Sequence, residues 1–291
     1  MTAQITVGLP FFNSAKTVLA SVQSVFAQTI DDWELILVDD GSTDGSVELL
    51  SRIEDPRVRL VVDGENRGLA SRLNQISQLA SAPLLARMDA DDIMAPHRLE
   101  TEVSLLRASG ADLVFSDAVS IDVRSVPRGV RVSERSPSRS RYFRNSPYIH
   151  PTLLGRKDWY LQNPYDDKLR RCQDQELWVR TRDSAHVEIC SEPLLYLREA
   201  GTVSARKYAA SMAGTRAVLN KHGWSQLGAA GTTVRLVESI FKQWSFSVAS
   251  RMRIADRLVG LRSLALTADD AARHAEVIRK ISMTTLPGID T

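Results

Sequence analysis

Cysteine is scarce in this sequence, and its scarcity removes two classes of protein from consideration. The 291 residues include two cysteines, Cys172 and Cys190, and neither belongs to a C-x-x-C pair. This spacing matches no cysteine-based metal site, and two thiols in a chain of this length do not form a disulfide framework. We therefore expect a protein of a reducing compartment.

Signals for secretion and for membrane insertion are also missing. Residues 1–4 lead directly into a strand-like run, without the basic stretch that opens a secretory signal. No run approaches the roughly 18 uninterrupted apolar residues of a membrane-spanning helix. Both absences predict a cytoplasmic protein.

The overall composition is that of an ordinary globular protein, but the charge is unevenly distributed. Hydrophobic residues make up 43% and charged residues 25%, which suits one large domain or a domain with an appendage. A net charge of +2 argues against a nucleic-acid partner. Residues 124–144 nevertheless contain seven arginines against one acid, and residues 205–281 contain thirteen lysines and arginines against five acids.

Short apolar runs alternate with helical patterns through about the first hundred residues. Strand-like runs cover residues 5–10, 33–38, 58–62 and 84–88, and a helical period runs from Leu69 to Leu79. The alternation predicts an α/β fold with a mostly parallel central sheet covered by helices. Neither a dinucleotide-binding G-x-G-x-x-G nor a phosphate-binding G-x-x-x-x-G-K-[ST] motif is present, which excludes those two glycine-rich nucleotide sites.

Acidic side chains follow two of the predicted strands. Asp39 ends the second strand, and Asp89, Asp91 and Asp92 end the fourth. Ligands of such sheets bind beyond the carboxyl ends of the strands, and side chains two positions apart point to the same side. Asp89 and Asp91 would thus present two carboxylates to Mg²⁺ or Mn²⁺. The alternative is that the acids cap the next helix near residues 95–97, as we expect of Asp92.

Four motifs follow one another in the order and spacing of a known family. They are Pro10-Phe11-Phe12-Asn13, Val38-Asp39-Asp40-Gly41-Ser42-Thr43-Asp44, Asn66-Arg67-Gly68-Leu69 with Arg72 and Asn74, and Asp89-Ala90-Asp91-Asp92. On these residues the chain resembles a family 2 glycosyltransferase of the bacterial polysaccharide type. The resemblance implies a GT-A fold, which is a nucleotide-sugar-binding α/β sandwich, and sugar transfer from a nucleotide donor with inversion at the anomeric carbon.

The resemblance also implies a binding role for individual residues. It places the following residues at the nucleotide: Pro10, Phe11, Asn13, Asp39, Arg72, Asp89 and Ala90. Asp39 would accept a hydrogen bond from the pyrimidine, and Arg72 would approach phosphate or base oxygens. Asp91 would ligate the metal, with Asp89 beside the ribose or the metal. The alternatives are a helix cap for Asp39 and a solvated helix residue for Arg72.

The acceptor side of the predicted site comes from the second half of the chain. Asp174 stands where the family has its general base, but Gln173 replaces the glutamate that usually precedes it. The missing carboxylate would lower the pKa of Asp174. Glu176 is a competing base, although we expect it to be a helix-surface acid. The resemblance places His150 near the acceptor, and we expect Trp178 on the same side.

We expect a catalytic GT-A domain over residues 1–204 and a helical region over residues 205–291. The nucleotide-sugar half would reach about residue 117 and the acceptor half would follow. The arginine-rich residues 124–144 predict a loop or loose hairpin, either solvated or in contact with an anionic acceptor.

Apolar residues from Val234 to Leu258 recur every three or four positions and predict a helix. This helix would pack on the catalytic domain or on a second subunit. Because basic residues interrupt the apolar ones, the alternative is a surface that rests on an anionic membrane at the inner face of the cell membrane.

Together these features predict a metal-dependent glycosyltransferase of the hexosyltransferase type. It would move a sugar from a nucleotide-sugar, with a UDP-sugar as the expected donor, to a hydroxyl of a glycan or lipid-linked acceptor in cell-surface polysaccharide or glycolipid synthesis. The cofactor would be Mn²⁺ or Mg²⁺. Gln173 and Ala200 depart from the family pattern and leave open an inactive nucleotide-sugar-binding or scaffold protein. A nucleotidyltransferase is disfavoured because no glycine-rich basic loop lies near the N-terminus.

Overall fold

The computed structural model describes residues 3–199, 205–251 and 263–289. The first part follows the predicted alternation of strands and helices. Its elements are β1 (Ile5–Phe11), α1 (Val18–Phe26), β2 (Trp33–Asp39), α2 (Ser46–Leu50), β3 (Val58–Val61), α3 (Leu69–Leu79) and β4 (Leu84–Arg87).

The second part is more irregular and ends in helices. Its elements up to the last strand are β5 (Ile93–Met94), α4 (Arg98–Ser109), β6 (Leu113–Ile121), β7 (Pro127–Arg131), α5 (Arg139–Tyr142), a 3-10 turn (His150–Thr152), β8 (Leu154–Arg156), α6 (Lys157–Gln162), α7 (Gln173–Thr181) and β9 (Val187–Arg198). The helices that follow are α8 (Ala205–Val218), a π-helical turn (Leu219–Gly223), α9 (Trp224–Gln226), α10 (Gly228–Arg251) and α11 (Ala268–Ser282).

Within the described residues, all nine strands belong to one sheet. Its order is β3-β2-β1-β4-β8-β6-β9-β5, and β7 pairs with β6. The pairings among β3, β2, β1 and β4 are parallel, as is the long pairing of β6 with β9, whereas β8, β7 and β5 run antiparallel to their neighbours. The predicted α/β class with a mostly parallel sheet is confirmed. Of the antiparallel strands, β7 and β8 come after residue 117, whereas β5 comes before it.

Strand β2 shows why the first strands read as continuous apolar runs. Leu35 and Leu37 pack into one hydrophobic core, and Ile36 and Val38 pack into the core on the opposite face of the sheet. Each of these side chains is at least 99% buried, and burial of this extent stabilises by about 1.5–3 kcal/mol per side chain. A strand that is covered on both faces therefore does not alternate apolar with polar residues along its sequence.

Glycine at position 8 allows α3 to lie close to β1. A Cβ placed on Gly8 would clash with the Cγ2 atom of Ile76. Any larger residue would push α3 away from the strand, so this glycine is required by packing rather than by its backbone dihedrals.

The arginine-rich segment is folded rather than a free loop. It forms the β6–β7 hairpin and then α5, so the hairpin alternative is the right one. Most of its arginines are paired with acids, among them Arg135 with Asp117 at 3.1 Å and Arg144 with Glu238 at 3.4 Å. The alternative of a purely solvated segment therefore does not hold for most of these arginines.

The C-terminal region is helical, but its two ends contact different halves of the molecule. Helix α8 packs against α7 on the acceptor side, whereas α11 packs against α1. The Gln23 amide donates hydrogen bonds to the carbonyls of Ser282 and Thr284 at 3.1 and 3.0 Å. Helix α10 is the predicted apolar helix as far as Arg251, and the predicted positions beyond it, 252–262, lie outside the described residues. In the described part, no helix combines the length and apolar character needed to cross a membrane.

Candidate active site

An open cleft of about 690 Å³ lies at the carboxyl ends of β1 and β4, and we call it the donor cleft. Five of the seven residues predicted at the nucleotide line it: Pro10, Phe11, Asn13, Asp89 and Ala90. The parallel pairing of β1 with β4 ends both strands at one edge of the sheet. That shared edge explains how residues about eighty positions apart in the chain meet.

Asp39 lies behind the donor cleft rather than in its wall. It is 1% exposed, and its carboxylate accepts hydrogen bonds from the backbone N–H groups of Gly41 at 3.1 Å and Ser42 at 3.0 Å. Gly41 adopts a φ of 81°, which glycine tolerates without strain, so the turn closes around the carboxylate. The pyrimidine contact of Asp39 stays a prediction.

Arg72 is also buried and fully paired. Its Nε atom donates to Asp40 at 2.9 Å, its two Nη atoms donate to Asp63 at 2.7 Å, and its remaining donors reach the Gln75 side chain and the Glu65 carbonyl. All five N–H donors of the guanidinium are thus occupied. Arg72 is 0% exposed, so the solvated alternative is wrong, and its nucleotide contact stays a prediction. These hydrogen bonds hold the pKa of Asp63 well below its usual range.

Three carboxylates converge at the edge of the donor cleft. Oxygen atoms of Asp89, Asp91 and Asp92 all lie within 4.8 Å of one another. Desolvation raises the pKa of Asp91, and the negative charge of Asp89 raises it further. A hard divalent cation would relieve this repulsion and takes oxygen ligands of this kind, so the residues fit the predicted metal. Asp89 and Asp91 face the cleft and are the candidate ligands.

Asp92 does not cap a helix, contrary to the prediction. It is 2% exposed and accepts a hydrogen bond from the backbone N–H of Arg198 at 2.7 Å. Strand β5 follows it at once, and α4 begins only at Arg98. Burial, and then the charges of Asp89 and Asp91, raise the pKa of Asp92 well above its usual value. Asp92 therefore joins the carboxylate loop to the end of β9.

Asp174 lines a second cavity of about 510 Å³, which we call the base cavity. It lies in the first turn of α7. Burial raises its pKa, and this effect outweighs the hydrogen bond from the Gln175 backbone and the positive charge of Arg87. The net shift is therefore upward because burial is the largest contribution, and the lowering expected from the missing neighbouring carboxylate stays a prediction. A carboxylate with a raised pKa in a cavity wall suits a general base.

The comparison with protein families decides the family. The model of glycosyl transferase family 2 matches residues 6–166, which contain all four motifs of the donor side. The chain belongs to glycosyl transferase family 2. This match confirms the resemblance drawn from the sequence motifs.

Two relatives have similar sequences. EpsE of Bacillus subtilis is 29% identical over 183 residues, which cover 61% of this chain and 66%, just under two thirds, of EpsE. WfgD of Escherichia coli, a UDP-Glc:alpha-D-GlcNAc-diphosphoundecaprenol beta-1,3-glucosyltransferase, is 24% identical over 210 residues, which cover 70% of this chain and 81% of WfgD.

Solved structures of S. aureus TarS 1-349 have the same fold. The crystal structure with UDP has a TM-score of 0.59 at 18% identity, covering 84% of this chain and 72% of that one. The crystal structure with UDP-GlcNAc has a TM-score of 0.61 at 17% identity. These similarities confirm the GT-A fold of this family 2 chain.

Glu176 is not the surface acid that we expected. It is 0% exposed, and its carboxylate accepts hydrogen bonds from Lys221 at 2.9 Å and from His222 at 2.8 Å. Burial alone would raise its pKa, but these hydrogen bonds outweigh burial and lower it. Glu176 thus anchors α7 to the π-helical turn. Its paired, buried carboxylate does not line the base cavity, so it does not compete with Asp174 as the base.

His150 and Trp178 pack beneath the site. The Nε2 atom of His150 lies 2.7 Å from the hydroxyl of Tyr165, and its ring packs edge-on against Trp178 with centroids 5.7 Å apart. Burial, followed by the charge of Arg87, lowers the pKa of His150 well below its usual value, which keeps the ring neutral. Trp178 is 1% exposed. Neither side chain lines the donor cleft or the base cavity, so an acceptor contact by either stays a prediction.

Two arginines of this family 2 site were missed by sequence reasoning. Arg198 lines the donor cleft, and its Nε atom donates to the Asp91 carbonyl at 2.8 Å. Arg87 is 5% exposed and pairs with Asp89 at 2.7 Å, and its charge lowers the pKa of Asp174. Arg87 is therefore within electrostatic reach of both sites. A charged residue at the end of an apolar strand was the available signal for Arg87, whereas Arg198 meets Asp91 only because β9 pairs with β5.

The Arg87 guanidinium is incompletely paired. Its Nε and Nη1 atoms have no hydrogen-bond partner among residues 3–199, 205–251 and 263–289. A buried donor without a partner costs about 1–3 kcal/mol, and more when it is charged. These two nitrogens therefore favour ordered water or an anionic group as a partner.

Proposed function

We propose that this protein transfers a sugar from a UDP-sugar to an acceptor hydroxyl with inversion at the anomeric carbon. One observation carries the proposal: the carboxylates of Asp89 and Asp91 line one pocket and Asp174 lines a second, with Arg87 in electrostatic reach of both. The UDP-Glc donor in the name of WfgD and the UDP-GlcNAc bound to TarS support the choice of nucleotide.

Each group has a separate task in the proposed reaction. Asp91 and Asp89 would hold a divalent cation, and Mn²⁺ or Mg²⁺ in this position neutralises negative charge that develops on the leaving nucleoside diphosphate. Asp174 accepts the proton of the acceptor hydroxyl as the oxygen attacks the anomeric carbon. One displacement inverts the configuration, so the chain needs no nucleophile of its own, unlike a retaining glycosidase.

We propose that the two halves of the catalytic domain divide this work. Residues 1–117 would bind the nucleotide-sugar, because most of the residues that line the donor cleft come from this half. Residues 118–204 would supply the base and acceptor contacts, and helices of the C-terminal region would complete the base cavity. The name of WfgD, which specifies a diphosphoundecaprenol-linked acceptor, supports a place in cell-surface polysaccharide or glycolipid synthesis.

We propose that α10 rests on the inner face of the cell membrane. Five of its apolar side chains are 57–63% exposed and share one face. They are Val234, Val237, Ile240, Phe241 and Trp244. Residues 205–251 contain seven lysines and arginines against one acid, and such a surface is attracted to anionic lipid. Exposed Trp and Phe side chains are typical of membrane interfaces.

Vesicle flotation tests the proposed membrane contact. The full chain should float with vesicles that contain phosphatidylglycerol at low salt and should stay unbound with phosphatidylcholine alone. Phe241→Ser and Trp244→Ser should reduce flotation, whereas Met283→Ser, at a position 66% exposed outside α10, should not. A protein that ignores anionic vesicles, or whose α10 variants lose a dimer instead, would exclude the membrane contact.

The released product tests the proposed reaction against its two alternatives. With UDP-glucose or UDP-GlcNAc, Mn²⁺ and a panel of glycan acceptors, the glycosyltransferase should release UDP, and Asp174→Asn should not. Pyrophosphate from a nucleoside triphosphate and a sugar phosphate would indicate a nucleotidyltransferase. Metal-dependent UDP binding without turnover on any acceptor would indicate an inactive scaffold.

A further inference from the structure

The base cavity is rich in positive charge. Arg144, Arg171, Lys207 and Lys242 line it, and Asp174 is the only acid among the described residues of its wall. These cations come from four separate segments: the end of the arginine-rich segment, the loop before α7, α8 and α10. Their convergence depends on the packing of α8 against α7 and of α10 against α8, and no local sequence pattern produces it.

Glu238 compensates only part of this charge. Its carboxylate pairs with Lys242 at 2.9 Å, with Arg144 at 3.4 Å and with Arg235 as well. Burial alone would raise its pKa, but the hydrogen bonds from Lys242 and Arg235 outweigh burial and lower it. One ionised acid thus serves three cations, which leaves this corner of the base cavity positively charged.

Part of the remaining wall is apolar and aromatic. The rings of Tyr208 and Phe246 stack with their centroids 4.0 Å apart, and Met212 lies beside the cavity with them. A Cβ placed on Gly214 would lie 2.9 Å from the carbonyl oxygen of Arg171, so α8 presses directly on the loop that carries this arginine. The cavity therefore combines a fixed cationic side, an aromatic side and the predicted base.

We propose that the base cavity receives an acceptor that carries a phosphate or diphosphate group near its reacting hydroxyl. The proposal rests on the proposed function, because Asp174 is taken as the base for that hydroxyl. Arg144, Arg171 and Lys242 would bind the phosphate oxygens, since arginine and lysine form strong charge-assisted hydrogen bonds with phosphate. The Tyr208–Phe246 stack would contact the sugar ring or an apolar tail. A neutral glycan alone would make no use of the charge of Arg171 or of the charge that Glu238 leaves uncompensated.

Calorimetry with inorganic pyrophosphate tests this proposal on the full chain. EDTA is present, so the carboxylates of Asp89 and Asp91 lack a metal and repel the probe from the donor cleft. The wild type should bind pyrophosphate at low salt, and the variant Arg144→Gln, Arg171→Gln, Lys242→Gln should bind at least about 10-fold more weakly. A control with the same loss of charge outside the cavity, Arg59→Gln, Arg107→Gln, Lys280→Gln, should bind like the wild type.

Geranyl diphosphate distinguishes two sources of the phosphate. Tighter binding than pyrophosphate would assign a lipid-linked diphosphate, and equal affinity would assign a phosphate group without a lipid tail. The triple variant breaks the ion pair between Arg144 and Glu238. If this loss unfolds the protein, the single variant Arg171→Gln provides the same test. Equal weakening in the cavity and control variants, or no binding by the wild type, would overturn the proposal.

Metal-dependent UDP binding, measured on the same protein, separates this inference from the proposed function. If UDP binds with Mn²⁺ but pyrophosphate does not bind in EDTA, the donor site is supported and the phosphate-bearing acceptor is excluded. If pyrophosphate binding depends on the cavity arginines but no uridine nucleotide binds, the cavity is supported and the proposed donor is wrong.

Discussion

The donor cleft and the base cavity are similar in volume, about 690 and 510 Å³, but they are built differently and carry opposite charge. The donor cleft gathers carboxylates at the ends of neighbouring parallel strands from the first ninety or so residues. The base cavity gathers cations from helices and loops between residues 144 and 246. The first depends on a local motif, whereas the second depends on tertiary packing.

This contrast indicates how each site handles an anionic substrate. Asp89 and Asp91 would repel a diphosphate unless a cation is added, so we expect the proposed donor site to need a metal before it binds a nucleotide-sugar. The base cavity has its cations in Arg144, Arg171 and Lys242 and needs none. Removing the metal should therefore affect only one of the two sites. Donor binding should be lost, whereas anion binding in the base cavity should remain.

The largest expected effect is on turnover. Asp174→Asn removes the base while keeping the shape of the side chain, so the transfer rate should fall by about 100- to 10,000-fold. The affinity for UDP in Mn²⁺ should stay within about twofold of the wild type, because Asp174 lies in the other cavity. A variant that loses UDP binding as well would show that Asp174 supports the donor cleft, and the division between the two sites would fail.

A smaller but specific effect is expected on the donor side. Asp91→Asn should weaken Mn²⁺-dependent UDP binding by at least about 10-fold, because it removes a carboxylate ligand and one of the charges that attract the cation. Asp44→Asn is a matched control, since Asp44 also lines the donor cleft but its carboxylate is bound to Ser46 and the backbone of Ala15. UDP binding that is equally strong in EDTA would contradict a metal site at Asp91.

A moderate effect is expected on the acceptor side. Arg171→Gln should raise the KM for a phosphate-bearing acceptor by about 3- to 10-fold and leave the KM for the UDP-sugar unchanged. Arg107→Gln removes an exposed arginine outside both sites and serves as the control. Steady-state kinetics with both substrates varied would measure this, and a change confined to the donor KM would contradict the assignment of the base cavity.

The smallest expected effect is on pH dependence. The folded pKa of Asp174 lies above its ordinary value of 3.8. As the solution is acidified, the transfer rate should therefore begin to fall at a higher pH than it would if the base were a solvated aspartate. The folded state also binds this proton more tightly than the unfolded state. The contribution of Asp174 to stability is therefore lost as the pH rises through the folded pKa.

Asp174→Asn should accordingly be more stable than the wild type above the folded pKa, and the difference should vanish below the ordinary value. Thermal unfolding across this range measures the effect. A variant that is less stable at neutral pH would mean that the ionised carboxylate is well compensated in the folded protein.

How far the sequence predicts this molecule depends on whether a feature is local. Helix α3 was predicted with its observed ends, Leu69 and Leu79, because its apolar period is complete within the segment. Asp89 and Asp91 were placed at the cleft by the strand that precedes them. The pairing of Asp92 with Arg198 could not be predicted, since it joins residues 106 positions apart.

Burial in the second half was harder to predict than position. Glu176 follows a helix start, and its sequence context resembles that of a surface acid. Its partners Lys221 and His222 come from a π-helical turn 45 and 46 positions later. Asp174 was predicted as the base, but the direction of its pKa shift depends on burial that only the packed structure supplies.

The most direct measurement is calorimetric UDP binding by the wild type, Asp174→Asn and Asp91→Asn, each with Mn²⁺ and then with EDTA. We predict that the wild type and Asp174→Asn bind UDP with similar affinity in Mn²⁺, that Asp91→Asn binds far more weakly, and that EDTA abolishes binding in all three. Binding that survives EDTA, or that is lost in Asp174→Asn while Asp91→Asn retains it, would contradict a metal-dependent donor site separate from the base.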